Sequence, residues 1–168
     1  SSTGKKSEEQ GRVLIGPAGW SYPDWENVVY PKPAPRGFHP LHHIASWFNI
    51  TEINNSFYRI PAAKHAESWV QKVEDFPDFQ FSAKLYQAFT HDRRWSAEDA
   101  RAYREFLKPL VDSGRLAAVL IQFPWSFKGS QENMDYARKL AEEFHDYPLA
   151  IEVRHTSWWK EEYFEALR

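Results

Sequence analysis

Short apolar runs alternate along this chain with longer amphipathic stretches. Val13-Leu14-Ile15-Gly16 is a candidate strand, ending at Gly16-Pro17-Ala18-Gly19. Leu41 to Phe48 predicts a helix, and Thr51-Glu52-Ile53-Asn54 follows as a second strand. Ala62 to Val73 predicts a helix with Ala66, Trp69, Val70 and Val73 on one stripe. Phe79 to Lys84 is the third strand. Ser96 can cap a helix from Ala97 to Ser113, with Asp99 three residues on and Gly114 at the stop. Ala117 to Phe123 is the fourth strand, and Ser130 can cap Gln131 to Phe144. Leu149 to Arg154 is the fifth strand, and Lys160 to Arg168 begins another helix.

Strand alternating with helix implies parallel strands joined by right-handed crossovers. Two architectures compete, a (β/α)₈ barrel and a doubly wound sheet. Alternation inside the strands separates them. Leu149, Ile151 and Val153 oppose Ala150, Glu152 and Arg154, and Phe79, Phe81 and Ala83 oppose Gln80, Ser82 and Lys84. A doubly wound sheet is apolar on both faces. A barrel gathers polar groups at the C-terminal mouth of its strands. The pattern therefore predicts an α/β chain of the (β/α)₈ TIM-barrel type with about five of the eight strand-helix units. Five units do not close such a barrel, so the strands near Val13 and Leu149 are expected to be open edges. Self-association along those edges, or a place in a longer polypeptide, is the corresponding expectation.

Composition narrows the function. A formal net charge of −2 supplies no global field toward nucleic acid or an anionic membrane. The local basic residues, His39 to His43 and Arg93-Arg94, form no stripe, and nucleic acid is not an expected partner. No apolar run is long enough to span a bilayer. Cysteine is absent, which excludes disulfides and fits a reducing, cytoplasmic setting. Residues 1–12 are polar and are read as a disordered leader or tag remnant, with the domain over 13–168. Aromatic residues make up 17% of the chain; much of this must be core, but Trp and Tyr also supply flat stacking faces, so their positions matter more than their number.

Several segments carry a resemblance. They are Gly16-Pro17-Ala18-Gly19-Trp20-Ser21-Tyr22-Pro23-Asp24-Trp25, Glu52-Ile53-Asn54-Asn55-Ser56-Phe57-Tyr58, Thr90-His91, Gln122-Phe123-Pro124 and Glu152-Val153-Arg154-His155-Thr156-Ser157-Trp158-Trp159. In order and spacing these resemble the YecE-like family, also called domain of unknown function 72. The resemblance implies a TIM barrel of unassigned activity. Pro17-Ala18 departs from the small polar pair more usual there.

The candidate site lies at the strand ends. Glu52, Lys84 and Glu152 are candidates for acid-base work, because two carboxylates and an amine in one sheltered place shift one another's proton affinity. Lys84 could also form a Schiff base if desolvated. A purely structural ion-pair network is the competing reading. Asn54, Gln122, Arg154, His91 and His155 are candidates to orient a ligand, and Trp20, Tyr22, Tyr58 and Trp158 to stack against it. Such a rim suits a sugar-like or other ringed polar small molecule, handled by an enzyme or held by a non-catalytic binding module. Stacking of single-stranded nucleic acid on the aromatics, or an inactive fragment, are further alternatives. Gly16 to Gly19 lacks the dinucleotide fingerprint and the phosphate-loop lysine, and reads as a tight turn. No cofactor is indicated. Two weak metal groupings, His39/His42/His43 and Glu52/His91/Glu152/His155, lack a standard ligand spacing.

Overall fold

The computed structural model describes residues 11–167. The proposed leader therefore falls largely outside the described residues. Four strands, β1 (Ile50–Ile53), β2 (Gln80–Lys84), β3 (Leu116–Gln122) and β4 (Leu149–Glu152), form one parallel sheet in sequential order. The helices are α1 (Pro40–Trp47), α2 (Asn55–Tyr58), α3 (Ala63–Lys72), α4 (Ala97–Asp112), α5 (Gln131–Glu143) and α6 (Glu161–Leu167). Sequential order excludes the reversed order of a doubly wound sheet. The sheet is open: among the described residues β4 pairs with β3 alone.

One face of the sheet is buried, as the alternation requires. Thr51, Ile53, Phe81, Ala83, Val119 and Ile121 are fully covered or nearly so. They meet the apolar stripes of the helices, including Ala66, Tyr103, Phe106, Leu107, Met134, Ala137 and Leu140. Burying a large apolar side chain contributes about 1.5–3 kcal/mol. The helix starts are chemically specified. Ser96 and Asp99 exchange hydrogen bonds of 3.1 Å in a capping box at α4, and Ser130 Oγ accepts from Asn133 N at 3.2 Å to start α5.

The expected first strand is corrected by the structure. Residues 13–18 run beside β1 but make one isolated bridge, Ala18 to Glu52, and no ladder. The amide of Ile15 donates to the side chain of Asn49 at 2.6 Å instead of to a strand backbone. Pro17 has no N–H to give, and only its carbonyl engages, accepting from Glu52 N at 3.1 Å. Gly16 passes so close to β1 that a Cβ there would lie 1.5 Å from the Ile50 carbonyl oxygen. Val13 and Ile15 remain 75% and 65% exposed on this edge.

Arg115 anchors the opposite end of the sheet. It is 7% exposed, and its guanidinium donates to the carbonyls of Phe76 at 2.8 Å, Phe79 at 2.9 Å and Val73 at 3.2 Å. It thereby ties the end of α3 and the turn after it to the start of β3.

Candidate functional site

The second face of the sheet carries the polar residues. Glu52 on β1, Ser82 and Lys84 on β2, Gln122 on β3 and Glu152 on β4 are half-buried at alternate positions to the core residues. Register places Glu52 beside Ser82, and Gln122 beside Glu152. Asn54 continues the same face just past β1.

The two carboxylates differ in environment. Glu152 Oε1 accepts from Gln122 Nε2 at 3.0 Å and from Arg154 Nε at 3.1 Å. It is held in a small polar network that occupies its lone pairs. Glu52 makes no side-chain ion pair among the described residues. Burial pushes its carboxyl above the ordinary glutamate range, the Lys84 ammonium pulls it back, and Glu152 pushes it up again. Ionisation of Glu52 thus costs more in the fold than in the unfolded chain. Its contribution to stability is full below the unfolded-state value and is lost as pH rises through the higher folded-state value. Glu52→Gln should therefore gain thermal stability relative to the parent as pH rises from about 4 to about 8. A midpoint difference independent of pH would contradict this.

Lys84 is positioned by its backbone. Its carbonyl accepts from Ser56 Oγ at 2.6 Å and from the buried Tyr103 hydroxyl at 2.8 Å. Its Nζ sits 5.1 Å from the centre of the Phe57 ring. Phe57 and Tyr58 belong to the short helix α2; the Ser56 hydroxyl holds this turn by sharing its one proton between the Lys84 carbonyl and, at 3.0 Å, the Ile53 carbonyl. His91 lies in a tight π-type turn over Ala88–Asp92, its Nδ1 2.8 Å from Thr90 Oγ1 and its ring 4.8 Å from Phe57. Burial lowers its proton affinity, Asp92 opposes this, and Lys84 and Arg154 lower it further.

A cavity of about 510 Å³ opens at the ends of β1 and β2. Trp20, Tyr22, Asn54, Tyr58 and Lys84, all candidate residues from the sequence, line it together with Ser21, Asn55, Phe57 and Trp69. Trp69 was legible only as part of a helix stripe; it meets Trp20 edge-on at 5.2 Å. Neither Glu52, one step deeper on β1, nor Glu152, on β4 two strands away from Lys84, is part of the cavity wall. Trp25 turns away to a separate apolar groove with Val28, Tyr30, Trp47 and Phe48.

Other candidates are placed elsewhere. Trp158 is corrected from rim to core: it is 1% exposed, stacks on Phe127 at 5.3 Å and donates from Nε1 to the Phe127 carbonyl at 2.6 Å. An indole with its N–H satisfied inside the protein anchors the loop after β4 and offers no stacking face. His155 is occupied as a cap, its Nδ1 accepting from Ser157 N at 3.1 Å, with Trp125 at 4.6 Å from its ring. Arg93 lies over Phe127 at 4.8 Å. The three histidines at the start of α1 diverge: His39, its N-cap, accepts at Nδ1 from Leu41 N, His42 meets Asp75 at 3.0 Å, and His43 packs on Tyr30 and Phe38. Among the described residues no three His, Asp or Glu side chains gather in a metal-binding group. No helix there is long and apolar enough to cross a membrane.

Residues 14–168 match the family described as "Protein of unknown function DUF72". The chain is 35% identical over 159 residues to the UPF0759 protein YunF of Bacillus subtilis, covering 91% of this chain and 54% of that protein. A solved DUF72 family protein from Thermotoga maritima is 34% identical with a TM-score of 0.73, over 92% of this chain and 60% of its own. One from Enterococcus faecalis is 26% identical, also with a TM-score of 0.73, over 92% and 56%. The chain thus spans somewhat more than half the length of the relatives it matches.

Proposed function

Because the chain belongs to the DUF72 family, whose description names no reaction, we propose a function from the polar face itself: acid-base chemistry on a ringed, polar small molecule. One observation carries the proposal. Among the described residues Glu52 is a half-buried carboxyl without a side-chain ion pair and raised in proton affinity, on the strand next to that of Lys84, and it feels the charges of Lys84 and Glu152. A carboxyl tuned upward exchanges protons more effectively near neutral pH than an ordinary exposed one. Glu152, already committed to Gln122 and Arg154, serves as the charge partner. A ligand seated in the aromatic cavity reaches Glu52 along the strand, since Glu52 lies two residues, about 6.6 Å, below Asn54.

The test is proton exchange. Cyclic sugars and their carbonyl derivatives are incubated with the protein in D₂O, and loss of ligand C–H signals is followed by NMR. The expected result is exchange or turnover that falls about 100-fold in Glu52→Gln. A wild-type rate in that variant, or tight binding without any exchange, sinks the catalytic reading and leaves a binding module.

The same proposal takes the sheet as part of a (β/α)₈ barrel, supported by its sequential parallel order and its polar face. The outer edge of β4 then offers unpaired backbone groups, and 168 residues by themselves should self-associate. Sedimentation that shows a monomer at all concentrations would count against this.

A further inference from the structure

We infer that the cavity at the ends of β1 and β2 is an anion subsite, and that its ligand is a ringed molecule bearing a carboxylate or phosphate. The inference rests on the proposed reading of this face as a ligand site and names the class of molecule it takes.

The wall chemistry carries it. Among the described residues Lys84 is the one charged side chain that lines the cavity, and no carboxylate does. Among the other polar wall groups, the hydroxyls of Ser21 and Tyr58 and the amides of Asn54 and Asn55 can donate, while the Tyr22 hydroxyl already donates to the Ala18 carbonyl. Lys84 takes part in none of the ion pairs within 4.0 Å among the described residues. Structural cations in sheltered places are usually paired, and the others nearby are: Arg154 with Glu152. The backbone of the loop adds to this. Gly19 N donates to the Glu52 carbonyl, but the N–H groups of Trp20, Ser21 and Tyr22 find no backbone acceptor among the described residues. Among the described residues the cavity wall therefore presents an ammonium that meets an aromatic ring but no carboxylate, together with neutral side-chain donors.

The ring has its own place. Trp20, Phe57, Tyr58 and Trp69 supply flat apolar surface in the same cavity. The volume of about 510 Å³ suits a small ringed molecule. An anionic group at Lys84 would hold the ring against these aromatics and point its far side down the strand toward Glu52. The fixed carbonyl of Lys84, gripped by Ser56 and Tyr103, limits the ammonium to the reach of its own side chain.

The experiment compares three ligands of one ring: glucose, glucuronate and glucose 6-phosphate. Binding is followed by tryptophan fluorescence at low salt. At least one anion should bind about tenfold or more tightly than glucose. In Lys84→Met the preference should fall to within about twofold, while Lys84→Arg keeps most of it. Which anion gains more identifies the group, carboxylate or phosphate. Equal binding of all three, no anion binding at about 10 mM, or a preference that survives in a folded Lys84→Met protein overturns the inference. Glu52→Gln separates the two claims. If it loses proton exchange but keeps the anion preference, both stand. If the wild type prefers anions but exchanges no protons, only the catalytic reading fails.

Discussion

Replacing Trp158 by alanine is expected to lower the unfolding free energy by about 3–5 kcal/mol. The indole is 1% exposed and packs between Phe127 and Tyr163, with ring centres at 5.3 and 5.2 Å. Truncation leaves a large void that the neighbouring rings cannot fill without leaving their rotamers. It also orphans the Phe127 carbonyl, which accepts the indole N–H at 2.6 Å. Trp159 is the control. It adjoins Trp158 in sequence but is 75% exposed, so Trp159→Ala should stay within about 0.5 kcal/mol of the parent. Urea unfolding of both variants at fixed protein concentration makes the comparison. A Trp158→Ala loss below about 1 kcal/mol would show that the loop after β4 is not anchored to the core.

Arg115→Met should be the next most damaging change, at about 2–4 kcal/mol. The methionine fills much of the side-chain stem but donates nothing to the carbonyls of Val73, Phe76 and Phe79. Part of the loss is softened, because Val73 O also accepts from Phe76 N at 2.9 Å and Phe76 O from Phe79 N at 3.1 Å. Phe79 O depends most on the guanidinium. Arg115→Lys keeps the charge and one or two donors but lacks the planar fork, and should recover less than half of the difference. Full recovery by lysine would mean that charge, and not bridging geometry, is what the site needs. Hydrogen exchange gives an independent reading: amides at the starts of β2 and β3 should lose protection before those of α5.

Much of the architecture was legible because local rules and tertiary packing agree. Ser96 and Asp99 form the capping box that their spacing announces, and α4 begins at Ala97 as expected. The alternation of Phe81 and Ala83 with Ser82 and Lys84 became a buried face and a polar one, as a two-residue period requires. The first strand was misread for a physical reason. Val13 to Ile15 has strand composition, yet ladder formation depends on register and on donors; Pro17 lacks one, and Asn49 captures the Ile15 amide. The same limit governed Trp158. Sequence order put it after a strand with other aromatics, but side-chain direction is not set by order, and the turn at Thr156–Trp158 points it into the core.

The candidate site divides along the same line. By itself the sequence determined that Glu52, Asn54, Lys84, Gln122 and Glu152 share one face of a parallel sheet, because strand parity alone assigns faces. It also determined the absence of thiol chemistry. Only the tertiary structure decided which of these groups are spoken for. Glu152 is engaged by Gln122 and Arg154, whereas Glu52 has no ion pair among the described residues. Lys84 and the Trp20 loop share a cavity that neither carboxylate lines, and Trp69 from α3 completes its wall. Those outcomes depend on hydrogen-bond partners and on distances of a few ångströms between segments far apart in the chain. Periodicity along a chain carries no record of such distances, since they are set by how strands and helices pack.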